Sequence, residues 1–175
     1  MLSSRRSFLK IGVAGACTLA AGGAVYRLAY PPAAGHRFVL EGGALAVLRA
    51  VIPVMLGPVL PAEPAARAAA LEAACGRVRD AVLGLPLTTQ KEVQDLFGLL
   101  ALGPARRLLA GVAGGWEQAD PHQVEAFLNS WRTHSLETLR AAYHALHDLI
   151  IGAWYADPSA WPAIGYPGPL PELLA

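Results

Sequence analysis

The segment Ser135–Ala156, SLETLRAAYHALHDLIIGAWYA, decides the predicted fold of this chain. Its apolar side chains recur every three or four residues, which places them on one face of an α-helix. Ser135 precedes the apolar stripe and can cap the helix, because its hydroxyl can accept a hydrogen bond from a first-turn amide. We therefore predict one long helix that forms the centre of the core. Its inward side chains are Leu139, Tyr143 or Ala142, Leu146, Ile150 or Leu149, and Trp154.

Helical spacing also runs through the residues upstream. Prolines and glycines divide this region, since proline cannot continue a helix interior and often begins a helix. No stretch of five or more residues shows the period of two that is typical of a β-strand. The sequence thus predicts an all-α fold, a small irregular bundle of five or six helices within residues 31–156. The other predicted helices are Glu41–Leu56 containing Pro53, Ala65–Leu83 begun by Pro64, one capped by Thr88 or Thr89 and ended by Gly103-Pro104, Pro104–Val112, and one begun by Asp120-Pro121.

Residues 157–175 are much richer in proline and glycine than the helical region. That density is incompatible with regular helix or sheet and predicts an extended C-terminal tail. Aromatic side chains within the tail indicate that it packs on something. It either folds back over the helices of this chain or docks onto a partner, because Trp and Tyr are favoured at interfaces. The candidate partner-binding residues are Trp154, Tyr155, Trp161, Tyr166, Pro167, Gly168 and Pro169.

Residues 1–30 have the pattern of a twin-arginine export signal. An arginine pair precedes Ile11–Tyr26, a run rich in Gly and Ala that is less hydrophobic than an ordinary membrane span. The pattern predicts export to the periplasm by the twin-arginine translocase. Whether the leader is cleaved, lipidated at Cys17 or retained as a membrane anchor stays open. The signal residues are Ser4, Arg5, Arg6, Phe8, Leu9 and Lys10.

Composition narrows the function of the exported part. The chain has 175 residues and a formal net charge of +1, which gives no basic footprint for nucleic acid. Its two cysteines, Cys17 and Cys75, include one in the leader, and no Cys-x-x-Cys-His site for covalent haem is present. Charged residues make up only 15% of the chain and hydrophobic ones 54%. This balance fits either an obligate subunit with apolar surface or a codon bias toward Ala, Gly, Pro and Arg.

The order of these features resembles the small-subunit family (subunit 3) of gluconate 2-dehydrogenase. The resemblance runs over essentially the whole chain, and its most specific parts are the twin-arginine leader and Gly165-Tyr166-Pro167-Gly168-Pro169. It implies a non-catalytic subunit without a cofactor of its own. The implied partner is a large FAD-dependent dehydrogenase of the glucose-methanol-choline (GMC) class, acting on an alcohol or sugar. A multihaem cytochrome c subunit would take the electrons, and the small subunit would supply the export signal and help the large subunit mature.

The chain offers few candidates for chemistry of its own. No Gly-x-Gly-x-x-Gly motif opens a strand–helix unit, so we expect no dinucleotide fold. His144 and His147 could share a metal, although they lack a third ligand nearby in sequence. We expect no metal, and we expect Cys75 to be a core residue. Arg106-Arg107 beside Leu108-Leu109 is either a solvated helix face or a basic edge toward anionic lipid or an acidic partner.

We therefore predict a periplasmic accessory subunit that is not an enzyme. Two alternatives remain. One is an autonomous exported metal-dependent enzyme that uses His144 and His147. The other is a tether that holds a complex at the membrane through an uncleaved leader.

Overall fold

The structure, a computed structural model, describes residues 37–169. The twin-arginine signal, Cys17 and residues 170–175 lie outside the described residues. Within the described range the fold is all-α, as predicted, and consists of six α-helices and two 3₁₀ helices. The α-helices are α1 (Gly42–Met55), α2 (Pro64–Leu83), α3 (Leu87–Ala101), α4 (Gly103–Leu109), α5 (Pro121–Arg132) and α6 (Glu137–Tyr155). The 3₁₀ helices span Trp116–Gln118 and Pro158–Ile164.

Helix α1 occupies the centre of the bundle and packs against α2, α3, α5, α6 and the first 3₁₀ helix. We predicted this position for the long C-terminal helix, and that prediction is wrong. The reason is the distribution of polar residues. Helix α1 has one charged side chain, Arg49, so neighbours can pack on several sides, whereas α6 carries a polar face. Four core side chains of α1 are fully inaccessible to solvent: Val47, Leu48, Val51 and Ile52.

A close contact fixes the approach of α1 to α3. A Cβ atom at Gly43 would lie 2.5 Å from the Cβ atom of Ala101, a separation that neither backbone could accept without moving. Glycine at this position therefore lets the start of α1 pack directly against the end of α3.

Two tryptophan side chains link the helices by burying their rings and donating a hydrogen bond. Trp116 Nε1 donates to the carbonyl of Leu100 at 2.8 Å, and Trp131 Nε1 donates to the carbonyl of Leu109 at 2.8 Å. Phe127 lies between these two indoles, with ring centroids 5.8 and 4.8 Å away in edge-on geometry. Because both acceptors lie at the C-terminal ends of helices, the indoles satisfy carbonyls that have no partner within their own helix.

Candidate functional site

The C-terminal segment 157–169 folds back onto the bundle, and we call it the clasp. The sequence predicted an extended tail, but Pro158–Ile164 is a 3₁₀ helix. Asp157 caps it by accepting a hydrogen bond from the amide of Ser159 at 2.7 Å, and Pro158 occupies its first turn. Such a short helix needs few internal hydrogen bonds, so the prolines do not prevent it. Beyond Gly165 the chain has no regular secondary structure up to Pro169.

The clasp is attached to α2 through an ion pair. Arg77 Nη2 lies 2.5 Å from Asp157 Oδ2, and both side chains are about 70% removed from solvent. Hydrogen bonds from Ser159, reinforced by the charge of Arg77, lower the pKa of Asp157. The same guanidinium lies 5.5 Å from the ring centroid of Trp154, a cation–π distance. One arginine therefore joins α2, α6 and the start of the clasp.

Trp161 attaches the middle of the clasp to the end of α6. Its Nε1 atom donates to the carbonyl of Tyr155 at 2.9 Å. The ring of Tyr166 packs edge-on against Trp161 with centroids 5.1 Å apart, and the amide of Tyr166 donates to the Trp161 carbonyl at 3.1 Å. Gly165 and Gly168 both have positive φ, 68° and 100°. A Cβ at Gly168 would also come within 3.1 Å of the Trp161 ring. Glycine is therefore needed at both positions, because other residues rarely adopt a positive φ.

The predicted partner-binding residues thus separate into three groups, a core residue, residues packed against this chain, which include Gly168, and exposed residues. Trp154 is 8% exposed and belongs to the core, while Tyr155 and Trp161 are half-buried against this chain. Tyr166 is 45% exposed, and Pro167 and Pro169 beside it are exposed as well. Ile164, which is not among the predicted partner-binding residues, is 52% exposed. We call Ile164 and Tyr166 the clasp tip, because they are the large side chains that the clasp presents to solvent.

The histidine pair on α6 lies at the surface. His144 is exposed and His147 is half-buried, and the ring of Tyr143 packs against both, with centroids 5.4 and 5.9 Å away. His147 Nδ1 lies 2.9 Å from Asp148 Oδ1. Among residues 37–169 no group of three or more His, Cys, Asp or Glu side chains is placed to hold a metal ion.

A surface groove of about 550 Å³ runs beside His147, between α1, α5 and α6. His122 and Glu125 form part of its polar wall, with His122 Nδ1 and Glu125 Oε2 4.0 Å apart. The His122 side chain is 93% exposed, so this pair is solvated rather than enclosed. An exposed pair of this kind contributes little to stability.

Cys75 lies in the core, as predicted, at 3% exposure. Burial, with a smaller contribution from Glu72, raises the pKa of its thiol to about 11. A nucleophilic cysteine needs a thiolate near neutral pH, and this environment opposes thiolate formation.

None of the helices in the described part of the chain combines the length and apolarity needed to cross a membrane. The clasp tip presents the exposed side chains of Ile164 and Tyr166 on a segment held by the contacts of Asp157 and Trp161. No protein-family model, curated protein or solved structure matches this chain.

Proposed function

We propose that this chain is the non-catalytic small subunit of an exported FAD-dependent dehydrogenase of the GMC class. In this proposal the leader directs the assembled pair to the twin-arginine translocase, and the helical bundle stabilises the large subunit in the periplasm. FAD belongs to the large subunit, and haem to a cytochrome c subunit where one is present. The proposal rests on the Arg5-Arg6 motif and on the family resemblance of the Gly165–Pro169 segment.

The observation that carries the proposal is the clasp. Its backbone returns through two glycines with positive φ, and its ring pair fixes the position of Tyr166. An interface residue held in place before binding loses less conformational entropy when the partner arrives. Tyrosine is also among the side chains enriched at energetically dominant interface positions. A rigid segment that exposes Tyr166 and Ile164 therefore suits protein–protein association.

Co-expression with the proposed large flavin dehydrogenase subunit tests the export role. We expect the double variant Arg5→Lys/Arg6→Lys to leave the dehydrogenase in the cytoplasm, because the translocase receptor recognises the arginine pair. Cell fractionation and dehydrogenase activity in each fraction measure the outcome. Arg27→Lys is the matched control, since it changes an arginine of residues 1–30 outside the motif. A dehydrogenase that reaches the periplasm with the double variant contradicts the export role.

A further inference from the structure

Two leucines stand out from the surface of the bundle. Leu108 in α4 is 84% exposed, and Leu136, directly before α6, is 60% exposed. These are the largest exposures among the big hydrophobic side chains of residues 37–169. Neither residue belongs to the clasp.

One hydrogen bond joins the two leucine-bearing segments, and two more fix the turn that carries Leu136. The Trp131 indole donates to the Leu109 carbonyl at 2.8 Å, which joins the end of α5 to the end of α4. Arg140 Nη1 donates to the carbonyls of His134 and Ser135 at 2.6 and 3.0 Å, which fixes the turn between α5 and α6. We call the surface formed by α4 and residues 132–140 the basic end.

The charge of the basic end is opposite to that of the rest of the described chain. It contains four arginines, Arg106, Arg107, Arg132 and Arg140, and a single carboxylate, Glu137. Residues 37–169 as a whole contain ten Arg and Lys residues and twelve Asp and Glu residues. The remainder is therefore acidic, and positive charge is concentrated around the two exposed leucines.

Two arginines of the basic end already donate hydrogen bonds to backbone carbonyls of this chain. Arg106 Nε and Arg107 Nε donate to the carbonyls of Val112 and Ala113 at 3.3 and 3.2 Å. These bonds use the Nε atoms, so the terminal amino groups of both side chains can bind phosphate oxygens. Arg132 is exposed. The basic end can thus contact several phosphates without giving up its internal bonds.

We propose that the basic end binds the surface of an anionic phospholipid membrane, with Leu108 and Leu136 entering the headgroup region. Exposed apolar side chains flanked by cationic ones are the composition of surfaces that lie in the membrane interface. Each arginine near an anionic surface adds to the attraction, and the attraction falls with salt. A protein partner fits less well, because leucine is under-represented among dominant protein-interface residues. The inference does not depend on the identity of the dehydrogenase.

Vesicle sedimentation of the purified exported chain tests this surface. Vesicles of phosphatidylcholine alone are compared with vesicles that also contain phosphatidylglycerol, and the readout is the ratio of binding to the two. Residues 1–30, with the apolar run Ile11–Tyr26 and the cations beside it, are the same in every variant, so their contribution cancels when the ratios of two variants are compared. We expect Arg107→Gln/Arg132→Gln to lower the ratio by about 20-fold. We expect Arg107→Lys/Arg132→Lys, which keeps the charge, to preserve most of it.

Leu108→Ser tests the apolar part and should lower binding to the anionic vesicles by about fivefold. The matched controls are Leu87→Ser, at a leucine 55% exposed outside the basic end, and Arg79→Gln, at an exposed arginine of α2. Both controls should leave binding unchanged, and circular dichroism shows that each variant is folded. An unchanged vesicle ratio in the double Gln variant overturns the proposal. Loss of dehydrogenase binding with unchanged vesicle binding also overturns it and assigns the surface to an acidic protein.

Discussion

Gln90 is the one polar side chain in the described part of the chain that is fully buried, at 4% exposure. Its Oε1 atom accepts from the amide of Phe38 at 3.0 Å, and its Nε2 atom donates to the carbonyls of Leu83 and Leu85 at 3.2 and 2.8 Å. One amide therefore satisfies three backbone groups from the segment entering α1 and the turn between α2 and α3. A buried amide whose bonds are all made fixes a unique arrangement of the segments around it.

Replacing this amide tests its contribution. We expect Gln90→Leu to lower the free energy of unfolding by about 2–4 kcal/mol, because buried backbone groups would lose their partners. Urea denaturation followed by circular dichroism measures the loss. Gln94→Leu is the matched control, since Gln94 makes a similar bond to the amide of Val39 at 2.9 Å in an exposed setting. Equal losses in the two variants would show that burial at Gln90 adds nothing.

At the scale of one element, the clasp depends on the charge of Asp157. Because the folded clasp lowers the pKa of Asp157, the ionised carboxylate stabilises the clasp at pH values above 3.8, the usual pKa of an aspartate. This contribution is lost as the pH falls below 3.8 and the carboxylate takes up a proton. We therefore expect the clasp to loosen in acid at a pH below the usual range of aspartate titration. The amide chemical shift of Ser159, which donates to Asp157, reports the change.

Asp157→Asn separates the cap from the charge. Asparagine can still accept the Ser159 hydrogen bond, but it cannot form the ion pair with Arg77. We expect this variant to keep the clasp closed at neutral pH while losing the acid transition at Ser159. A transition that persists in the variant would assign the titration to another group.

Helix ends could be predicted from the sequence where a residue at the end itself starts or caps the helix. Pro64 begins α2 and Asp120 caps α5 as predicted, because a proline or an aspartate at a helix start acts within a few residues. The predicted caps Thr88 or Thr89 and Ser135 were wrong. Helix α3 begins earlier, after Pro86, and α6 begins later, after Leu136.

The contacts of the clasp could not be predicted in the same way. Arg77 and Asp157 are eighty residues apart in sequence, and nothing near either residue specifies the other. The hydrogen bond from Trp161 to the carbonyl of Tyr155 also depends on the 3₁₀ helix. The density of prolines in this segment argued against any helix there. Aromatic residues in a Pro/Gly segment did indicate packing. Their division between core, own-chain contact and solvent required the folded arrangement.

At the scale of the whole molecule, the clasp tip should decide association with the proposed flavin dehydrogenase. We expect Ile164→Ser/Tyr166→Ser to weaken that association by at least about tenfold, because aromatic anchors carry much of the energy of an interface. Size-exclusion chromatography and a titration of the purified large subunit measure the change. Truncation after Asp157 should have a larger effect, since it removes the anchoring Trp161 as well.

Leu87→Ser serves as the control for this experiment, because Leu87 is 55% exposed and lies outside the clasp. Ile164 and Tyr166 are 52% and 45% exposed, and the ring contact of Tyr166 is with Trp161 of the clasp itself, so the double variant should keep the helical bundle folded. An unchanged affinity in a folded double variant would place the dehydrogenase on another surface. The export role would then remain open, since it is tested by the arginine pair alone.

The chain contains four tryptophans, and each lies in a different chemical environment. The indole N–H groups of Trp116, Trp131 and Trp161 donate to carbonyls of three separate helix ends. That of Trp154 is buried and has no acceptor among the described residues. Four indole resonances in one nitrogen-labelled spectrum would therefore report separately on the α3 end, the basic end, the core beside Arg77 and the clasp. The molecule thus contains its own set of spectroscopic labels, one at each junction that a partner or a membrane would disturb.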